Sequence, residues 1–174
     1  MAISKKVFLM VCTILLCFTA LPVRVQAAKP TYVNGVKYIN IDSDDVVLLE
    51  RLVVAEAGNQ SFEAQKGVAI VVINRCLSSD FPDNVDEVIN QKQTVNGKTI
   101  YQFSCVQDGN YKKAKGREKE AESAVLAAIK EFQDGKAMLP RNVLYFRSDY
   151  YFNWETVENY VCYDDMYFSA VKEA

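Results

Sequence analysis

Histidine is absent from all 174 residues. That absence excludes Ser-His-Asp and Cys-His nucleophilic catalysis in their usual forms. It also argues against zinc hydrolysis, whose sites nearly always draw on histidine ligands. Cysteine is scarce, and two of the five, Cys12 and Cys17, fall in an N-terminal apolar run. The remaining Cys76, Cys105 and Cys162 are an odd set, so at most one internal disulfide is possible beside a spare thiol. Their spacing carries no metal motif. Neither a disulfide-stapled scaffold nor a metal site is expected, and no organic cofactor is implied. An excess of basic residues is missing too: the net charge is −2, so nothing marks a nucleic-acid partner. There are no internal repeats and no low-complexity linker. Carboxylate chemistry, the equipment of glycosidases, passes all these exclusions.

Long apolar runs are lacking except at the start. MAISKK is positive, VFLMVCTILLCFTALPV is apolar, and Val25-Gln26-Ala27 is a small-residue cleavage signature. Residues 1–27 therefore read as a secretory signal peptide. The apolar run is short for a spanning helix, which needs about 20 residues; an uncleaved anchor is the rival reading. Cys12 and Cys17 lack the small residues after them that lipid attachment wants. Cleavage would remove Lys5, Lys6 and Arg24 but no acid, taking the net charge from −2 to −5. The expectation is an exported protein with no stable membrane insertion after cleavage. Residues 28–44 then form an extended N-terminal arm turning at Asn34-Gly35, and residues 45–174 form one domain.

Within that domain SDDVVLLERLVVAEAG predicts a helix, with Ser43 as its cap, Asp44 and Asp45 at its positive end and Gly58 as its stop. Val46, Leu49, Leu52, Val53 and Ala57 recur at helical spacing. A second helix runs from Ser61 to about Ser79; it is apolar almost all round, which makes it the buried central helix. VDEVINQ predicts a short helix, and the following residues a loop or small hairpin turning at Asn96-Gly97. KAKGREKEAESAVLAAIKEFQDG reads as one long helix stopped by Gly135, and NVLYFRSDYYFNW as a strand leading into an aromatic loop. The fold class is mainly α, of the α+β type, with a small strand or hairpin element.

Glu56 lies in the last turn of the first helix, with Val53 and Val54 close by. A helix's negative end and apolar neighbours favour the protonated form of a carboxyl, which is what a general acid requires. A solvated glutamate at a frayed helix end is the plainer reading. The surrounding residues decide between them. ERLVVAEAGNQSFEAQKGVAIVVINRCLSSDFPDNVDEVI carries, in order, an AEA-G turn, E-x-Q, an apolar stretch ending in NR, an FP and a V-x-x-V-I. QFSCVQDG, AIKEFQDG and NVLYFRS follow. This series closely resembles the cell-wall hydrolase family typified by spore cortex-lytic enzymes, over most of residues 45–150.

The resemblance implies a lysozyme-like catalytic domain over residues 45–174. It would cleave peptidoglycan glycan strands between N-acetylmuramic acid and N-acetylglucosamine. It implies Glu56 as the catalytic acid, in a lytic transglycosylase mechanism that needs no second carboxylate. Gln102, Phe103 and Ser104, in a loop, are candidates for substrate binding. Tyr145 and Phe146 alternate on a strand, so one faces the core and the other can stack on sugar; Tyr145 is the candidate. Glu63 is a possible second carboxylate, although dipole complementation at its helix start explains it more simply. Asn74 and Arg75 are expected to tie the central helix to a neighbouring loop. Tyr150, Tyr151, Phe152 and Trp154 either rim the cleft or pack. The chain departs from the family in reading DDMYF where a histidine is common, in Ala64 where a glycine is usual, and in a longer insertion around Lys92–Lys98. The alternative function is a non-catalytic secreted wall-binding module of the same fold.

Overall fold

The computed structural model describes residues 31–33, 36–148 and 157–172. The expected signal peptide of residues 1–27, the turn residues Asn34 and Gly35, and the cluster Tyr150, Tyr151, Phe152 and Trp154 lie outside the described residues. The arm contributes β1 (Thr31–Val33) and β2 (Val36–Tyr38), paired antiparallel with Val33 opposite Val36.

Helix α1 (Ser43–Ala57) is capped one residue earlier than expected. Asp42, not Ser43, accepts the N–H groups of Asp44 and Asp45 at 2.9 and 3.0 Å, while the Asp45 carboxylate accepts the Asp42 N–H. This reciprocal capping box satisfies donors that the first helical turn leaves without partners. Helix α2 (Phe62–Leu77) is capped by Ser61. Every residue from Gly67 to Cys76 is buried, so α2 is the central helix. Helix α1 packs along it on one side, joined by the short α3 (Val85–Ile89), and α6 (Glu122–Gln133) on another.

The long helix expected before Gly135 is broken. α5 (Asn110–Lys113) ends where that helix was expected to begin, and the span itself is reduced to a 3-10 turn at Glu118–Glu120 and α6. Gly116 takes φ +91°, a left-handed conformation that glycine adopts without steric cost. The Glu118 carboxylate accepts the Gly116 N–H at 2.7 Å and the Arg51 side chain of α1 at 2.8 and 2.9 Å. A tertiary ion pair thus overrides local helix propensity.

Strand structure is richer than expected. β3 (Lys92–Val95) and β4 (Lys98–Tyr101) form the hairpin turning at Asn96-Gly97, with φ values of 52° and 75°. Positive φ at both central residues is the signature of the turn whose twist suits a two-residue hairpin. Downstream, β5 (Val143–Arg147), β6 (Val157–Tyr163) and β7 (Met166–Val171) build an antiparallel sheet in the order β5-β7-β6. Phe168 of β7 is fully buried and seats on α2 at Gly67. A Cβ added there would come within 2.5 Å of the Phe168 ring. At the other end of α2, Asn74 Nδ2 donates to the carbonyls of Pro140 and Val143, and Arg75 Nε to that of Leu144. Helix and sheet are therefore fastened at both ends of their contact.

Cys76 and Cys105 are buried, Cys162 is exposed, and no disulfide joins them. Among the described residues no helix is long and apolar enough to cross a membrane.

Candidate active site

The C-terminal end of α1 brings Glu56 to the rim of a cleft of about 400 Å³. That volume lies within the range of about 300–1,000 Å³ usual for ligand sites. Arg75 of α2, Tyr101, Gln102, Phe103 and Ser104 at the end of the hairpin, Phe146 to Ser148 at the end of β5, and Met166 of β7 complete its lining. Four segments distant in sequence thus converge on one carboxylate.

The hairpin's base explains why residues 102–104 reach the cleft. The Gln102 N–H donates to the Gln91 carbonyl at 2.9 Å, and the chain then enters α4 (Ser104–Gln107). Phe103 precedes that helix and is buried against Phe146, with ring centroids 6.0 Å apart. The Cys105 N–H, an early helical donor with no partner in its own helix, donates to Glu56 Oε1 at 3.3 Å. Glu56 is thus held from outside its own helix. Burial, and after it the Glu56 charge, push the Cys105 thiol well above the usual thiol range. It stays protonated and is no nucleophile.

The sequence candidates divide. Glu56, Gln102, Phe103 and Ser104 come together in the cleft. Tyr145 stands outside the lining, with its ring against Phe81 at 6.3 Å and 5.5 Å from the Arg75 guanidinium. Its neighbour Phe146 lines the cleft instead. A shift of register between Val143 and Tyr145 accompanies this arrangement; such irregularities re-aim side chains. Glu63 is exposed in the first turn of α2 and Asp80 is exposed in a loop, both away from the cleft lining. Among the described lining residues Glu56 is the one carboxylate. Among all described residues, no group of three or more acidic, cysteine or histidine side chains is placed to hold a metal.

Sequence reasoning missed the cleft-side position of Arg75 and the Cys105 N–H. The NR pair after the apolar stretch marked Arg75 as structural only. Nothing in the sequence pointed to the N–H, because backbone donors carry no residue signature.

The model of the cell wall hydrolase family matches residues 59–169. This chain belongs to the cell wall hydrolase family. The match begins three residues after Glu56, so it covers the hairpin, Arg75 and the sheet wall of the cleft but not the glutamate. A comparison with curated proteins returns no match. Among solved structures, this cell wall hydrolase is similar to the catalytic domain of the germination-specific lytic transglycosylase SleB from Bacillus anthracis. The TM-score is 0.54 at 22% identity, over 79% of this chain and 98% of that one. That likeness shows the fold, the lysozyme-like mixture of helices and small sheets expected from the sequence.

Proposed function

We propose that this cell wall hydrolase cleaves the glycan backbone of peptidoglycan as a lytic transglycosylase, with Glu56 as both acid and base. The observation that carries the reading is the lone carboxylate in the described lining of a polar cleft. In the first step the Glu56 carboxyl gives its proton to the glycosidic oxygen between muramic acid and glucosamine, and the bond from C1 to that oxygen breaks. The glucosamine residue leaves with a hydroxyl, and positive charge develops at C1. The carboxylate then takes a proton from the muramic acid's own hydroxyl, whose oxygen closes an anhydro ring on C1. A usual two-carboxylate glycosidase would need a second acid facing the first; Glu63 and Asp80 are not in the described lining. The SleB domain, named as a lytic transglycosylase, has the same fold and lends support. Phe146 offers aromatic surface to sugar rings, and Gln102 and Ser104 offer hydrogen bonds. Residues 1–27 direct export, and the mature chain of residues 28–174 works at the wall.

Digests of purified peptidoglycan should contain anhydro-muropeptides, one water lighter than hydrolysed products and without reducing ends. Mass spectrometry with a reducing-end assay reads this directly. Reducible muramic acid ends alone would overturn the mechanism and leave a muramidase. No cleavage at all by the folded protein would favour a wall-binding module.

A further inference from the structure

Arg75 presents a problem in electrostatics. It is 4% exposed, deep in α2, and a buried charge is costly unless paired. Burial lowers its pKa to about 10, so at neutral pH the guanidinium remains a cation. Nε is satisfied by the Leu144 carbonyl at 2.8 Å. Three rings surround the guanidinium carbon: Phe103 at 4.8 Å, Phe81 at 4.9 Å and Tyr145 at 5.5 Å. They stabilise a cation through their faces. Nη1 is buried and finds no hydrogen-bond partner among the described residues, and among those residues no direct ion pair neutralises the group. A structural tie to Leu144 needs only the one N–H. The caged charge opens onto the same cleft as Glu56, and the two charges interact across it.

We infer that Arg75 is a positioning residue for the acid–base cycle: a fixed cation that steadies the Glu56 carboxylate from the moment it gives up its proton until it regains one. The cage supplies the fixity. Phe81, Phe103 and Tyr145 hold the guanidinium plane so that it cannot swing out to solvent when the carboxyl is neutral. The Cys105 N–H supplies a second, uncharged hold on the same carboxylate. An interaction stronger after proton donation than before it lowers the barrier rather than tightening ground-state binding. This role rests on the reading of Glu56 given above and assigns Tyr145 an indirect task, as one wall of the cage.

The test is the pH dependence of kcat and KM on solubilised glycan strands for wild type, Arg75→Met, Arg75→Lys and Glu56→Gln. Among the described residues, the other titratable or charged groups that line the cleft or hold Glu56 are Tyr101 from β4, Cys105 from α4 and Arg147 from β5, with Tyr145 of β5 against Arg75, and these are unchanged throughout. Without the cation, the carboxylate formed on proton donation loses the charge that steadies it. The basic limb of the kcat profile should therefore move up in Arg75→Met by about one pH unit, the size expected from losing an opposite charge nearby. Its kcat should fall about tenfold or more while KM changes little, the pattern of an interaction made in the transition state. Arg75→Lys keeps the charge and should leave the limb in place. A basic limb that does not move in Arg75→Met, with only its amplitude reduced, overturns the inference and leaves Arg75 a packing residue. If the methionine variant does not fold, a folded lysine variant that is inactive, or whose limb moves up, overturns it equally; a retained limb supports it. Full activity in Glu56→Gln would remove the reading on which this rests, whereas an inactive Glu56→Gln beside an unmoved Arg75→Met limb removes only the role of Arg75.

Discussion

Asn74 and Arg75 are neighbours on α2 that open onto two different cavities. The cavity at Asn74, about 520 Å³, is the larger, and Leu77, Ser78, Ser79, Arg141, Asn142 and Leu144 share its lining. Its one charged lining residue, Arg141, stacks 4.3 Å over the Phe132 ring, and no carboxylate lines it among the described residues. The smaller cavity at Arg75 gathers Glu56, two arginines and three aromatic rings. Size alone would select the wrong one. What separates them is chemistry: a carboxylate gripped by a backbone N–H in one, a mainly apolar hollow in the other.

Substitutions on the two sides should therefore fail differently. Glu56→Gln preserves shape but has no proton to give, and should lower activity on peptidoglycan by about 10²- to 10⁴-fold, the usual contribution of a general acid. Its melting temperature should stay close to wild type, and Glu63→Gln, assayed beside it, should lose little activity. Substantial lysis by Glu56→Gln would break the contrast between the cavities. Asn74→Ala should give the reverse pattern. It removes the Asn74 donor from the Pro140 and Val143 carbonyls, the first of which keeps the Val143 N–H, and should destabilise the protein by about 1–3 kcal/mol in urea unfolding. Activity per folded molecule should largely survive; a selective loss of turnover would mean that the larger cavity takes part in catalysis.

The smallest effect concerns how the cleft end is tied down. Asp164, in the turn between β6 and β7, accepts the Ser61 N–H at the start of α2, and this hydrogen bond lowers its pKa. A carboxyl depressed on folding stabilises the fold above its unfolded value and loses that contribution as pH falls through its folded value. The thermal stability of wild type should thus exceed that of Asp164→Asn at neutral pH, and the gap should close below about pH 4, the unperturbed range of aspartate. A gap independent of pH would show that the hydrogen bond, not the charge, makes the difference.

The parts of the fold set by neighbours in sequence were readable from it. α1 and α2 announce themselves through apolar spacing and capping residues, and Asn96-Gly97 specifies its hairpin turn. The start of α1 was misplaced by one residue because Asp42 and Ser43 are both good caps, and only the reciprocal bond to Asp45 distinguishes them. The break at Gly116 is hard to read because one of the bonds that holds Glu118 there, from Arg51, spans 67 residues. β6 and β7 are harder to read although they form a hairpin across Asp164-Asp165, because that turn lacks the Asn-Gly signal that marks β3 and β4. At the site, Glu56 and residues 102–104 were legible through motif order. Simple alternation separates Tyr145 from Phe146 without saying which one meets the cleft, and Phe146 is the one in its lining.

The order β5-β7-β6 has a temporal side. The strand made last lies in the middle, with β5 and β6 each hydrogen-bonded only to it within the sheet. A chain that emerges N-terminus first, from a ribosome or through a membrane, therefore carries β5 and β6 without neighbours until residues 166–171 arrive. Met166 of the cleft wall and Phe168 of the helix contact arrive in the same instalment. The pocket around Glu56 closes only when the whole sheet can, so an enzyme built this way stays unfinished while it is still being threaded.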